Sequence, residues 1–108
     1  MEKVLITGAS GFVGSNLVIS LLGKKYKVKA FMREDSKHPS VDQLPCEKIY
    51  GNIEDTLLLK KVLKGIDIVF HAAAYVSFKK SDFDKVYQIN VLGTQNMLEA
   101  CLEAKVAK

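Results

Sequence analysis

The sequence has little of what marks crosslinked, membrane-spanning or disordered chains. Its two cysteines, Cys46 and Cys101, have no Cys-x-x-Cys spacing, so we expect neither a disulfide framework nor a metal site. Two prolines in 108 residues and a hydrophobic content of 48% argue against disorder. No apolar run reaches the roughly 20 residues that span a bilayer, and the first residues do not resemble a signal peptide. These absences favour one globular domain in the cytoplasm, with no membrane partner.

Arginine is also scarce. Arg33 is the single arginine, and the net charge of +4 rests on lysines scattered over residues 24–29, 60–64 and 79–85. Acidic residues lie between these lysine groups, and no recognition helix or RNA-binding motif accompanies them. Such a pattern is typical of a solvated surface, so we expect no nucleic-acid partner.

Short apolar segments alternate with amphipathic ones along the chain. The apolar segments predict strands at residues 3–7, 26–32, 47–50 and 66–70. Helical spacing predicts helices from residue 12 to a cap at Gly23, from 56 to 64, and from 82 to 105. Asp55 is expected to cap the second helix and a capping box at residues 81–84 to open the third. Residues 33–46 are polar and predict a loop with at most a short helix.

This β-α-β-β-α-β-α order indicates the N-terminal half of a three-layer, Rossmann-type α/β fold with a parallel sheet in strand order 3-2-1-4.

Three glycines join the first predicted strand to the first predicted helix. Residues 7–14 read Thr-Gly-Ala-Ser-Gly-Phe-Val-Gly. The first glycine permits a tight turn, the second lets backbone N–H groups approach a phosphate, and the third lets the helix pack closely on the sheet. Because a strand precedes the glycines and an amphipathic helix follows them, they predict a dinucleotide site formed by Gly8, Ser10, Gly11, Phe12, Val13 and Gly14.

Four motifs, in order, carry a family resemblance. The G-x-x-G-x-x-G spacing is followed by Gly-Asn-Ile at residues 51–53 and by a strand ending in His-Ala-Ala-Ala within residues 67–74. Residues 90–100 then read Asn-Val-x-Gly-Thr-x-Asn-x-Leu-x-Ala. In these motifs the chain resembles the extended short-chain dehydrogenase/reductase family. It is more similar to dihydroflavonol-reductase-like and steroid-dehydrogenase-like members than to sugar-nucleotide epimerases. The resemblance implies that residues 1–108 are the NAD(P)-binding part of an oxidoreductase or epimerase.

The same resemblance assigns roles to single residues. Asn52 and Ile53 would flank the adenine, and the path to the nicotinamide ribose would be lined by Ala72, Ala73 and Ala74. A turn residue after the third strand is the alternative interpretation of Asn52. Asn90 either stabilises a local helix distortion or, like matching asparagines in the family, helps to organise the active site. His71 is interpreted as a packing residue at a strand end, not as a ligand.

The cofactor choice depends on the end of the second strand. There an acidic residue selects NAD by binding the adenosine 2′-hydroxyl, whereas an arginine accommodates the 2′-phosphate of NADP. Met32 stands in the position of the acid, Arg33 follows it, and Ser36 is near enough to assist. We therefore predict NADP, with NAD as the alternative if Glu34 or Asp35 binds the ribose diol.

Family chemistry uses a Tyr-x-x-x-Lys pair after the fifth strand, beyond the four strands predicted here. Tyr75 and Lys79 have this spacing, but they follow the fourth strand, so we interpret it as accidental and assign no catalytic residue. The sequence predicts the NADP(H)-binding portion of a reductase or dehydrogenase acting on a carbonyl or hydroxyl substrate, catalytically incomplete as it stands. The alternatives are a non-catalytic nucleotide-binding or sensor module and a fragment of an NAD-dependent sugar-nucleotide epimerase/dehydratase.

Two apolar features predict a homo-oligomer. The fourth strand, residues 66–70, would leave one edge open. The last helix would bury a stripe of Phe83, Val86, Tyr87, Asn90, Val91, Thr94, Leu98, Cys101 and Leu102. It also carries apolar residues off that stripe, namely Ile89, Leu92 and Met97. In the family this helix commonly packs into a four-helix subunit interface, so we expect a dimer or higher oligomer through the 82–105 helix or through strand exchange.

Overall fold

A parallel four-stranded sheet organises the protein. The computed structural model describes residues 2–34, 39–75 and 77–108. Its strands are β1 (Lys3–Thr7), β2 (Lys27–Met32), β3 (Glu47–Tyr50) and β4 (Ile68–His71). They lie in the order β3-β2-β1-β4, and each neighbouring pair is parallel. The predicted α/β class, Rossmann-type topology and strand order are therefore confirmed.

Helices pack on both faces of this sheet. They are α1 (Phe12–Gly23), α2 (Pro39–Asp42), α3 (Thr56–Val62), α4 (Phe83–Tyr87) and α5 (Gly93–Ala104). Val4 and Ile6 of β1 belong to one core, which includes residues of α1, whereas Leu5 belongs to a second core with residues of α3 and α5. Because alternate residues of β1 face opposite cores, the whole strand is apolar. The longest helices have 12 residues, and none in the described part of the chain is long and apolar enough to cross a membrane.

Several element ends differ from the predicted ones. The cap of α3 is confirmed, since the Leu58 N–H donates to Asp55 Oδ1 at 3.1 Å. The expected cap at Gly23 is wrong: this glycine is still helical, and the left-handed φ of +65° falls on Lys25. β4 covers residues 68–71 instead of 66–70, because pairing with β1 begins at Ile68.

The predicted single helix over residues 82–105 is broken into pieces. A 3₁₀ turn at Lys80–Asp82 leads into α4, and a π-helical turn at Gln88–Leu92 separates α4 from α5. Asp82 stands at the N-cap of α4 but makes no side-chain cap bond; its Oδ2 accepts a hydrogen bond from Ser77 Oγ at 2.6 Å. The predicted capping box at residues 81–84 is thus wrong, because Ser81 lies inside the 3₁₀ turn and not at the N-cap.

The π-helical turn also changes which face of α5 is buried. Met97, predicted to lie off the buried stripe, is 2% exposed and belongs to the core, and Ile89 is half-buried. Members of the predicted stripe are instead exposed, namely Phe83, Tyr87, Val91, Leu98 and Leu102. A π-helical turn has more residues per turn than an α-helix, so it rotates the following helix relative to a 3.6-residue pattern.

The outer edge of β4 is partly paired with the end of the chain. The Val69 N–H donates to the Lys108 carbonyl at 2.7 Å, and the Ala107 N–H donates to the Asp67 carbonyl at 3.1 Å. The open edge predicted over residues 66–70 is therefore wrong for this part of the strand, because residues 107–108 pair beside it.

Candidate dinucleotide-binding site

A cleft of about 200 Å³ lies where the parallel strands reach their carboxyl ends. Most predicted site residues line it together, namely Gly8, Ser10, Gly11, Arg33, Asn52, Ile53, Ala72, Ala73 and Ala74. It is also lined by residues outside the predicted set, namely Phe31, Met32, Gly51 and Ile89. Two of these, Met32 and Gly51, adjoin predicted residues along the chain, and Phe31 precedes Met32 on β2. Ile89 enters the cleft from the π-helical turn, which no local sequence pattern indicates.

Gly8 brings the end of β1 into contact with the residues after β4. Its φ is +64°, and a Cβ placed on it would lie 2.7 Å from the carbonyl group of Ala72 and the nitrogen of Ala73. A side chain is excluded both by the backbone conformation and by this contact. The first glycine of the motif therefore allows the tight turn predicted for it and also the close approach of two walls of the cleft.

The other two motif glycines shape the start of α1. Gly11 caps the helix with an ordinary φ of −79°, and the Ser15 N–H makes the first helical bond to its carbonyl at 2.9 Å. The N–H groups of Phe12, Val13 and Gly14 precede that bond, as in the first turn of any helix, where they can bind an anion. A Cβ on Gly14 would lie 2.0 Å from the Gly8 carbonyl oxygen, so this glycine packs the helix on the loop. The side chains of Phe12 and Val13 are exposed and do not line the cleft.

The end of β2 places one cation at the rim of the cleft. Arg33 lines the cleft beside Met32, which is buried. Glu34 is exposed. The predicted residue Ser36, like the alternative Asp35, lies outside the described residues. The arrangement at this rim is a guanidinium next to a thioether, with no carboxylate at position 32.

Asn52 has a structural role in the turn after β3. Its Oδ1 accepts the Glu54 N–H at 2.8 Å, as expected for a turn residue. The same residue also lines the cleft, so the two interpretations of Asn52 are compatible. The Asn52 carboxamide keeps donor and acceptor capacity beyond this turn bond, because its nitrogen has two donor hydrogens and its oxygen a second lone pair.

A hydrogen-bonded chain of side chains lies beneath the β4 wall of the cleft. Thr7 Oγ1 is 2.8 Å from His71 Nδ1, and His71 Nε2 is 3.2 Å from Thr94 Oγ1. Thr7 Oγ1 also accepts the Ala73 N–H at 3.2 Å, and Thr94 Oγ1 donates to the Asn90 carbonyl at 2.8 Å. Burial lowers the pKa of the His71 imidazole below its usual range. His71 thus connects Thr7 to Thr94 by hydrogen bonds and is not only a packing residue. This role depends on the strand register that places His71 opposite Thr7.

Asn90 fixes the segment that follows β4. Its carboxamide accepts the Tyr75 N–H at 2.8 Å and donates to the Tyr75 carbonyl at 2.9 Å. The ammonium of Lys85 lies 4.4 Å from the centre of the Tyr75 ring. Tyr75 and Lys79 do not lie on a helix, in contrast to a catalytic Tyr-x-x-x-Lys pair.

The parallel sheet, the glycine-rich turn between β1 and α1 and the cleft at the strand ends define a class, the Rossmann-type nucleotide-binding α/β proteins. The chain belongs, more narrowly, to the NAD-dependent epimerase/dehydratase family, whose family model matches residues 4–108. The family resemblance predicted from the four motifs is thereby confirmed.

The chain is similar both to proteins named for sterols or steroids and to a sugar-nucleotide epimerase. The chain is 36% identical over 104 residues to sterol demethylase protein B of Methylococcus capsulatus, covering 96% of this chain and 32% of the relative. It is 37% identical over 114 residues to a 3 beta-hydroxysteroid dehydrogenase/Delta 5-->4-isomerase of Mycobacterium tuberculosis, covering 100% of this chain and 30% of the relative. Among solved structures, a UDP-glucose 4-epimerase of Brucella ovis in complex with NAD superposes with a TM-score of 0.84 at 29% identity, over 97% of this chain and 33% of that one. The chain thus spans about a third of the length of these proteins.

Proposed function

We propose that the chain is the NADP(H)-binding portion of a reductase or dehydrogenase that acts on a carbonyl or hydroxyl substrate. The observation that carries the choice of NADP is Arg33, which lines the cleft beside buried Met32. A guanidinium binds a phosphate through charge-assisted hydrogen bonds, whereas a thioether is a weak acceptor for ribose hydroxyls. The steroid dehydrogenase among the relatives supports the oxidoreductase half of the proposal.

In this proposal the dinucleotide lies along the cleft from β3 to β4. The N–H groups of the first turn of α1 bind the pyrophosphate, next to Gly8 and Gly11. Asn52 and Ile53 contact the adenine, with the Asn52 carboxamide making a polar contact to the adenine amino group. Residues 72–74 line the path to the nicotinamide ribose. Ser36 remains a predicted contact to the 2′-phosphate.

Calorimetric titration with NADPH and NADH tests the cofactor choice. We expect NADPH to bind more tightly, with both affinities weaker than those of a complete enzyme. Arg33→Ala should weaken NADPH binding by about tenfold to a hundredfold and leave NADH binding nearly unchanged, since a hydrogen bond to a charged group contributes about 1.5–3 kcal/mol. Lys24→Ala is the control, because it removes a charge at the opposite end of the sheet. Equal affinities of the unaltered chain for both cofactors would refute the choice of NADP.

NAD is the alternative cofactor, and one specific observation favours it. The superposed epimerase of Brucella ovis is a complex with NAD. In that case the exposed Glu34, or Asp35, would bind the ribose diol, and the chain would belong to a sugar-nucleotide epimerase or dehydratase. Tighter binding of NADH, lost in Glu34→Gln and retained in Arg33→Ala, is the result that would establish this alternative.

We assign no catalytic residue within residues 1–108, and we place the protein in the cytoplasm. A reading frame that continues into a fifth strand, a serine and a Tyr-x-x-x-Lys pair would supply the catalytic groups. A sensor module that binds a dinucleotide without chemistry is the competing function. The gene distinguishes the two, because only the enzyme requires that continuation.

We further propose that copies of the chain associate. Five apolar side chains on α4, the π-helical turn and α5 are between 46% and 79% exposed, namely Phe83, Tyr87, Val91, Leu98 and Leu102. This set is called the outer helix face below. Exposed apolar surface of this kind favours burial against a second copy. The partly paired edge of β4 makes strand exchange the weaker route.

A further inference from the structure

The hydrogen bonds around His71 have a single consistent direction at its Nε2 end. Thr94 Oγ1 lies 2.8 Å from the Asn90 carbonyl oxygen, which can only accept, so the Thr94 hydroxyl proton points to Asn90. Thr94 Oγ1 therefore accepts the bond from His71 Nε2 at 3.2 Å. This direction requires a proton on Nε2 of the imidazole.

The opposite end of the ring is then an acceptor. In a neutral imidazole that is protonated on Nε2, Nδ1 accepts, and the Thr7 hydroxyl donates to it across 2.8 Å. Thr7 Oγ1 in turn accepts the Ala73 N–H at 3.2 Å. Thr7 is fully buried, so its hydroxyl would lose this acceptor if the ring were charged.

The chain of bonds holds one peptide of the cleft. The peptide between Ala72 and Ala73 packs against Gly8 so closely that a Cβ on Gly8 would lie 2.7 Å from it. Thr7 fixes the N–H of that same peptide, and His71 connects Thr7 to α5 through Thr94.

We propose that His71, neutral and protonated on Nε2, is a positioning residue that sets the β4 wall of the cleft and so determines the affinity for the nicotinamide half of the dinucleotide. The inference rests on the proposed function. In the proposed function the adenine side of the cleft is formed by Met32, Arg33 and Asn52, at the ends of β2 and β3. The hydrogen-bonded chain instead joins the ends of β1 and β4 to α5. Loss of His71 therefore weakens binding of the whole dinucleotide and spares binding of its adenine half.

Binding of two ligands to two His71 variants tests this role. NADPH (or NADH, whichever binds more tightly) and 2′,5′-ADP or AMP as the matching adenine half are titrated by calorimetry. His71→Leu removes both hydrogen bonds and should weaken dinucleotide binding by about tenfold, with the adenine half changed less than twofold. His71→Gln offers one acceptor and a donor and should restore most of the loss. Thr94→Val removes the acceptor for Nε2 together with the hydroxyl bond to the Asn90 carbonyl and leaves the Thr7–His71 bond in place. It should give a smaller loss in the same direction, and it replaces His71→Leu if that variant does not fold.

Nitrogen NMR shifts of the His71 ring test the tautomer without any ligand. The expected spectrum at neutral pH has a protonated Nε2 and an unprotonated Nδ1. A protonated Nδ1, or equal losses of affinity for the dinucleotide and its adenine half in His71→Leu, would overturn the proposal. If the unaltered chain bound neither ligand, the proposed function would fail and with it the role in binding, whereas the ring spectrum would still decide the tautomer.

Discussion

At the scale of single residues, two glycines of the glycine-rich turn, Gly8 and Gly11, differ in whether the backbone itself excludes a side chain. Gly8 has a left-handed φ and no room for a Cβ, whereas Gly11 has an ordinary φ and its nearest neighbour would lie 3.4 Å from a Cβ. Gly8 is thus required by the fold itself. Gly11 has no such conformational requirement, and we propose that it is needed for a dinucleotide that approaches the start of α1.

Alanine at these two positions should therefore affect different quantities, namely stability at Gly8 and dinucleotide affinity at Gly11. Gly8→Ala should lower the free energy of unfolding by about 2 kcal/mol or more, from the strained φ and the close contact. Gly11→Ala should change stability by less than about 0.5 kcal/mol. It should nevertheless weaken dinucleotide binding by about tenfold, because its Cβ stands where the pyrophosphate approaches. Urea unfolding and calorimetry measure the two quantities, and undiminished affinity in Gly11→Ala would contradict the placement of the pyrophosphate.

His71 should make stability depend on pH in a defined window. Burial lowers its pKa in the folded protein, while the unfolded chain has a pKa of about 6.5. As the pH falls, the imidazole is therefore protonated in the unfolded state before it is protonated in the folded state. The free energy of unfolding thus has its highest value above pH 6.5 and decreases as the pH falls below it. Urea unfolding between about pH 7 and 5 should show this decrease, and His71→Gln should remove it. An unchanged pH dependence in that variant would show that other groups cause it.

At the scale of elements, the break between α4 and α5 is held by Asn90. Its two hydrogen bonds attach the π-helical turn to the backbone of Tyr75, and its carbonyl accepts from Thr94. The turn also directs Ile89 into the cleft and Met97 into the core. The interpretation of Asn90 as a residue of a local helix distortion therefore agrees with the structure, and its role in organising the active site stays a prediction.

Removing this side chain should destabilise the protein. Asn90→Ala leaves the Tyr75 N–H and carbonyl without their partner and should lower the free energy of unfolding by about 1–3 kcal/mol. Gln95→Ala, which removes an exposed amide that donates to Glu99 on α5, is the matched control and should cost less than about 0.5 kcal/mol. Urea unfolding measures both, and equal costs would mean that the Tyr75 contacts contribute nothing of their own.

At the scale of the whole molecule, the outer helix face should drive association. Light scattering at micromolar concentration should give a mass of at least twice 12.0 kDa. Leu98→Lys should reduce that mass, because a charge would be buried in the interface. Leu57→Lys is the control, since Leu57 is also exposed but lies on α3. A monodisperse monomer in the unaltered protein would refute the association.

Much of the fold was determined by local sequence patterns. The apolar strands, the glycines at 8, 11 and 14 and the Asp55 cap act through neighbouring residues, and the order of strands follows from short right-handed crossovers. For the same reason the predicted residues of the cleft lie together: parallel strands all end at one edge of the sheet. Structure that depends on interactions within a few residues can be predicted from the sequence before the fold is known.

Tertiary structure alone decided the contacts that join distant parts of the chain. His71 bonds to Thr7 and Thr94, which lie 64 and 23 residues away, so no local pattern could indicate that its ring links β1 to α5. Periodicity likewise predicted the wrong buried face of α5, because both faces carry apolar residues and a π-helical turn selects between them. That turn depends on the bonds from Asn90 to Tyr75, which exist only once β4 and the helices are packed together.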